Sequence, residues 1–98
     1  MPRIFSINLG GGGNGTLVAR ADIEPITNGA QTFSVVFSSD IGSANYALNV
    51  SIENDVDTDP IYLTAIISNK LGTGFDIELS APTDSANYIL NYMAAAYI

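Results

Sequence analysis

Apolar and polar residues alternate along five short segments of this chain, and that period of two limits what the chain can fold into. Phe33, Val35 and Phe37 form one apolar set; Tyr46, Leu48, Val50 and Ile52 a second; Leu63, Ala65 and Ile67 a third; Phe75, Ile77 and Leu79 a fourth; Tyr88, Leu90 and Tyr92 a fifth. The residues between them are mostly Ser, Asn, Thr, Asp and Glu. Successive side chains on a strand point to opposite faces, so each segment predicts a strand with one dry and one wet face. Phe5, Ile7 and Leu9 predict a further strand near the N-terminus. Turn formers separate the segments: Asn28-Gly29, Asp40-Ile41-Gly42-Ser43, Asp57-Thr58-Asp59-Pro60, Gly72-Thr73-Gly74 and Pro82-Thr83-Asp84-Ser85. Strands and turns at this spacing predict an all-β fold, an antiparallel β-sandwich of about six to seven strands. Leu17 to Glu24 also fits a short helix that Pro25 would end, and the sequence leaves that segment open.

One octapeptide occurs almost twice. Ser43-Ala44-Asn45-Tyr46-Ala47-Leu48-Asn49-Val50 returns as Ser85-Ala86-Asn87-Tyr88-Ile89-Leu90-Asn91-Tyr92. In both copies Ser, Ala and Asn predict a turn and the tyrosine opens a strand, so the two segments read as equivalent strand starts in one sandwich. The identity stops there, since Ser51-Ile52-Glu53 stands against Met93-Ala94-Ala95, and a solenoid of repeats is not supported.

Composition narrows the function. Ninety-eight residues, 47% of them hydrophobic, fit one domain that buries roughly two-thirds of its unfolded-chain surface. Ten acidic against three basic residues give a net charge of -7, which repels phosphate backbones, so no nucleic-acid partner is expected. The chain has neither cysteine nor histidine, hence no disulfide framework, no soft metal site and none of the usual nucleophile and base pairs. Met1 to Ser6 lacks the pattern of a signal peptide and no run reaches the roughly 18 apolar residues of a membrane span, so synthesis in a cytoplasm and no membrane insertion are expected.

Few motifs survive scrutiny. Gly10 to Gly15 satisfies the spacing of a dinucleotide-binding glycine loop, but that site needs a following helix and an acidic residue about 20 positions on, where Val35 stands. A flexible loop joining the first strand to the body is the better reading, and it suits an arm built on Ile4, Phe5, Ile7 and Leu9 that reaches a neighbouring subunit. On this reading residues 1–25 form an N-terminal strand and glycine-rich arm, and residues 26–98 the sandwich. Asp55, Asp57 and Asp59 imitate the first ligands of an EF-hand, yet Pro60 replaces the glycine at loop position 6 and Ile66 the glutamate at position 12. No cofactor is expected, and a loose calcium site in the 53–59 acidic loop is the weaker alternative to a solvated loop. No pair among the ten acids is marked out for glycosidase chemistry, so no enzymatic activity is expected. Of five tyrosines, Tyr46, Tyr88 and Tyr92 fall on inward positions, which leaves Tyr62 and Tyr97 as candidate ligand or partner contacts. The uncharged end from Tyr92 to Ile98 predicts burial in a subunit interface.

Thr32 to Phe37, then Asn45 to Asn54 with its Ser-Ile-Glu-Asn element, then Thr73-Gly74-Phe75, then the closing strand from Asp84-Ser85-Ala86-Asn87-Tyr88 together resemble the H-type lectin-like domain, above all its versions in fibre, spike and other virion proteins of tailed bacteriophages. The resemblance spans about residues 26 to 95. It implies a six-stranded antiparallel sandwich that assembles as a homotrimer outside a particle. Agglutinins of this family bind N-acetylgalactosamine with loop residues that include aspartate, arginine and histidine. This chain has no histidine or tryptophan, and Arg3 and Arg20 lie outside the matching block, so no binding residue carries over. The expected function is that of a non-enzymatic structural protein on a tailed-phage virion surface, made in the host cytoplasm, with itself and the capsid or tail as partners. The alternative is a glycan-binding receptor-recognition module of a tail fibre or spike, with Tyr62, Asp55, Asp57 and Asp59 facing a host surface glycan.

Overall fold

The computed structural model describes residues 16–98. The candidate arm residues Ile4, Phe5, Ile7 and Leu9, the glycine run and the strand expected at the N-terminus lie outside the described residues. Among the described residues are six strands and no helix: β1 (Leu17–Pro25), β2 (Thr32–Val36), β3 (Ala47–Glu53), β4 (Ala65–Leu71), β5 (Gly74–Leu79) and β6 (Ile89–Tyr97). They form two antiparallel sheets of three strands, in the order β1-β6-β3 and β2-β5-β4. The all-β expectation holds, and the arrangement is consistent with a small β-sandwich.

Leu17 to Pro25, open to helix or strand in the sequence, is a strand that pairs with β6 along its whole length, from Leu17 opposite Tyr97 to Pro25 opposite Ile89. The sandwich therefore takes in residues ahead of position 26. Helix propensity is a weak preference, and nine residues of cross-strand pairing override it. Pro25, which cannot donate to a ladder, sits at the last position of this edge strand, where such a residue is tolerated.

The five apolar sets face inward as expected. Val35, Phe37, Tyr46, Leu63, Phe75, Ile77, Leu79, Tyr88, Leu90 and Tyr92 are all buried, with Phe33, Leu48, Val50, Ile52, Ala65 and Ile67 packed against them. An aromatic group at the centre joins the sheets: Phe37 lies 5.9 Å from Phe75 and 5.9 Å from Tyr92, and Phe75 meets Tyr92 edge-on at 5.4 Å. Edge-to-face pairs of this kind add about 0.5–1.5 kcal/mol each beyond the area they bury.

The uncharged C-terminal segment has a different setting from the one its sequence suggests. It is β6, the central strand of its sheet, with Tyr92, Ala94 and Ala96 in the core. Burial within the chain thus accounts for three of the seven apolar residues from Tyr92 to Ile98; Met93, Ala95 and Tyr97 face the other way and Ile98 is exposed.

Candidate functional site

The two halves of the repeat supply the ends of the sandwich. β3 and β6 are antiparallel neighbours, so their leading tyrosines lie at opposite ends of one sheet. The local geometry is the same in each copy: the hydroxyl of Ser43 accepts from the N–H of Asn45 at 2.9 Å, and that of Ser85 from the N–H of Asn87 at 3.2 Å. Each turn delivers a tyrosine whose ring is buried and whose hydroxyl is bonded. Tyr46 Oη lies 2.9 Å from the Leu71 carbonyl and 2.8 Å from that of Gly74, sharing one proton between them. Tyr88 Oη donates to Asp84 at 2.7 Å and accepts from the Ile61 N–H at 2.9 Å. Burial raises both phenol pKa values above the ordinary range, and the neighbouring Asp84 carboxylate adds to the effect on Tyr88.

At the Tyr88 end the acidic run 53–59 meets the second repeat. Asp57, a candidate contact in the sequence, is the centre of a clasp. Its Oδ2 accepts from Asn54 Nδ2 at 2.7 Å and from the Ser85 hydroxyl, and its Oδ1 accepts from Asn87 Nδ2 at 2.8 Å. Asn54 Oδ1 in turn accepts the N–H groups of Val56 and Asp57. Hydrogen bonds to the charged form favour it, so the hydroxyl of Ser85 first, then Asn54 and Asn87, hold the Asp57 pKa below the ordinary carboxylate value. Asp57 therefore binds one loop to the other, while Asp55 and Asp59 are exposed. No group of three or more acidic side chains suited to a metal ion occurs among the described residues.

Tyr62 stands beside this clasp with 89% of its surface exposed. It borders a shallow cavity of about 270 Å³ with Ile61, Pro60, Asn54, Ile52 and the edge of Tyr88. Val56 and Ile61 are exposed nearby in sequence, so an amphipathic tip flanks the cavity. Tyr97, the second free tyrosine, is half-exposed at the end of β6 on the outer face of its sheet, beside Leu17. The candidate contacts thus fall in two places: Tyr62 with the acidic loop at one end, Tyr97 on a sheet face.

Both basic residues among those described hold internal bonds. Arg20 projects from β1 toward the other sheet, donating to the Ser39 carbonyl at 3.0 Å, the Ser39 hydroxyl at 2.9 Å and the Asp40 carbonyl at 3.0 Å. Lys70 donates to the Tyr46 carbonyl, with its ammonium 4.8 Å from the centre of the Tyr46 ring.

The sequence reading missed two features. One is Thr83, apart from the tyrosines the only buried polar residue among the described residues, which accepts from Gly29 N–H at 2.8 Å, donates to the Thr27 carbonyl at 2.8 Å and locks the β1–β2 turn to the β5–β6 loop. The other is the outer face of β1 and β6. Register places Leu17, Ala19, Ala21, Ile23 and Pro25 on one side with Tyr97, Ala95, Met93, Asn91 and Ile89, and places Arg20, Asp22 and Glu24 toward the interior edge. The alternation of β1 is inverted, and only a fixed partner strand reveals which of its faces is which. No protein family, curated protein or solved structure matches the chain.

Proposed function

We propose that this is a non-enzymatic structural protein of a tailed-phage virion surface, which assembles as a homotrimer to decorate or stabilise the particle. The observation that carries the reading is where the chemistry-bearing side chains go. Asp57, Ser85, Asn87 and Asn54 saturate one another, Tyr46 and Tyr88 bond to the backbone and to Asp84, and Arg20 and Lys70 are tied to carbonyls. A carboxylate whose oxygens already accept three donors is poorly placed to act as acid, base or metal ligand. Two three-stranded antiparallel sheets also agree with the resemblance to virion H-type lectin-like domains. Electron microscopy of phage labelled with gold-tagged antibody against this protein tests the proposal. Label spread over the head supports decoration; no label on any particle refutes a virion role.

A second reading, a glycan-binding module of a tail fibre or spike, draws on Tyr62. An exposed phenol ring beside a shallow cavity offers a stacking face for the C–H side of a sugar. Label confined to fibre tips, together with glycan-array binding that Tyr62→Ala abolishes, would favour it.

A further inference from the structure

We infer that the outer face of the β1-β6-β3 sheet is the surface on which copies of this chain meet. The inference starts from β1. A solvent-facing edge strand ordinarily turns its charges outward and its apolar residues inward. Here Val18 is the one inward residue of β1 that packs on the core, beside Ala96, while Arg20, Asp22 and Glu24 share that side with Ala94, Tyr92 and Leu90, and the outward side is Leu17, Ala19, Ala21 and Ile23. Ile23 is 57% exposed and Tyr97 47%. β6 continues the face with Ile89, Met93 and Ala95, and β3 adds Ala47, Asn49 and Ser51. The single charge is Glu53 at a corner, and Asn91 Nδ2 donates to it at 2.8 Å.

Charge selects the occupant. In a chain of net charge -7, two copies repel wherever their acids approach. The other sheet presents Glu78 and Asp76 in the middle of its outer face, between Thr32 and Ile66 and between Ser34 and Ser68. Among the described residues the outer sides of β1 and β6 present no charge and the whole face only Glu53 at its corner, so it offers a cationic partner little and a second copy the broad approach with the fewest like charges. Its shape fits as well. Ala47, Ala95 and Ala19 form a row across all three strands, low enough for Met93 and Ile23 of another copy to settle into. Nine residues on each of β1 and β6 and seven on β3, at about 3.3 Å each on strands about 4.8 Å apart, give roughly 400 Å² per copy. Two such faces bury roughly 800 Å², below the about 1,000 Å² of a stable specific interface and in the range of weak ones, so the association is concentration-dependent.

This surface rests on the self-assembly part of the function proposed above but not on the virion. Sedimentation of the full chain over a wide concentration range tests it, with Ala21→Arg and Met93→Lys on the face and Ile66→Lys on the other sheet as the control. Circular dichroism shows that each variant keeps the fold. The wild type is expected to sediment as a multiple of the 10.3 kDa chain, Ile66→Lys to match it, and either face variant to weaken association more than about tenfold. A wild type that stays monomeric throughout, or association unchanged by Ala21→Arg and lost in Ile66→Lys, overturns the assignment. A dimer lost in Ala21→Arg upholds the surface and refutes the trimer; loss of association with no labelled phage upholds the surface and refutes the virion.

Discussion

Thr83 shows how a single hydroxyl stabilises this fold. It is 4% exposed, and its backbone and side chain together make four bonds to the turn 27–30: N–H to the Ala30 carbonyl at 3.0 Å, carbonyl from Gly29 N–H at 3.1 Å, and the two hydroxyl bonds. Valine has the same shape without the donor or the acceptor. Thr83→Val removes both hydroxyl bonds, while the Thr27 carbonyl keeps the Ala30 N–H and the Gly29 N–H keeps the Thr83 carbonyl, so the loss is that of the hydrogen bonds themselves, about 0.5–1.5 kcal/mol each. Urea denaturation of Thr83→Val is expected to show that loss, and Thr83→Ser to recover most of it. Asp57 acts through charge. Its pKa and that of Asp76, bonded by Ser34 and Asn69, are lowered in the folded protein. A lowered folded pKa contributes stability that is complete above the unfolded value, about 3.9, and is lost as pH falls through the folded one. Asp57→Asn, whose amide nitrogen cannot accept from Ser85 and Asn54, is expected to lower the melting temperature at pH 7 and to flatten its fall below about pH 4. A parallel melting series that drops by the same amount at pH 3 and pH 7 would refute the charge argument.

Elements were legible where burial is one-sided. The sets from Phe33 to Phe37, Phe75 to Leu79 and Tyr88 to Tyr92 alternate because one face meets the core, and periodicity reads that directly. β1 was not, because Leu17, Ala19, Ala21 and Ile23 alternate on the face away from the core, and pattern alone cannot tell a dry inner face from a dry outer one. The repeat was legible as a turn and strand start, and the structure adds why: both serines cap a turn that buries a bonded tyrosine. The partner of Asp57 was invisible because Ser85 and Asn87 lie 28 and 30 residues away, a distance only the folded topology closes. The inward charge on β1 gives a prediction for the whole strand. Arg20 is the link between β1 and the 38–40 loop of the opposite sheet. Removing it in Arg20→Ala lets the two part together, so amide exchange in β1 and in that loop is expected to rise in concert by roughly tenfold, with β5 unchanged. Exchange that rises uniformly across the chain would mean global destabilisation and no such link.

At the scale of the molecule, the outer face of β1 and β6, whose sheet carries only Glu53 on that side, and the acidic remainder oppose each other. Association through β1 and β6 carries no ionic attraction to screen, whereas the net charge of -7 repels across the whole approach. Added salt is therefore expected to tighten self-association, the reverse of what an interface built on ion pairs would show. pH works on the same balance from another side. The calculated isoelectric point is 4.1, so repulsion fades as pH falls toward that value. The Asp57 and Asp76 bonds persist there because their pKa values are held below the ordinary carboxylate range, and they fail only at lower pH. Between neutrality and the acid limit lies a window in which the fold is intact and its copies repel least. Sedimentation at pH 7 and near pH 4.5, each at low and moderate salt, is expected to show tighter association at the lower pH and a smaller effect of salt there. Association weakened by salt at pH 7 would mean that charged groups make the contact, which the outer face of β1 and β6 does not supply.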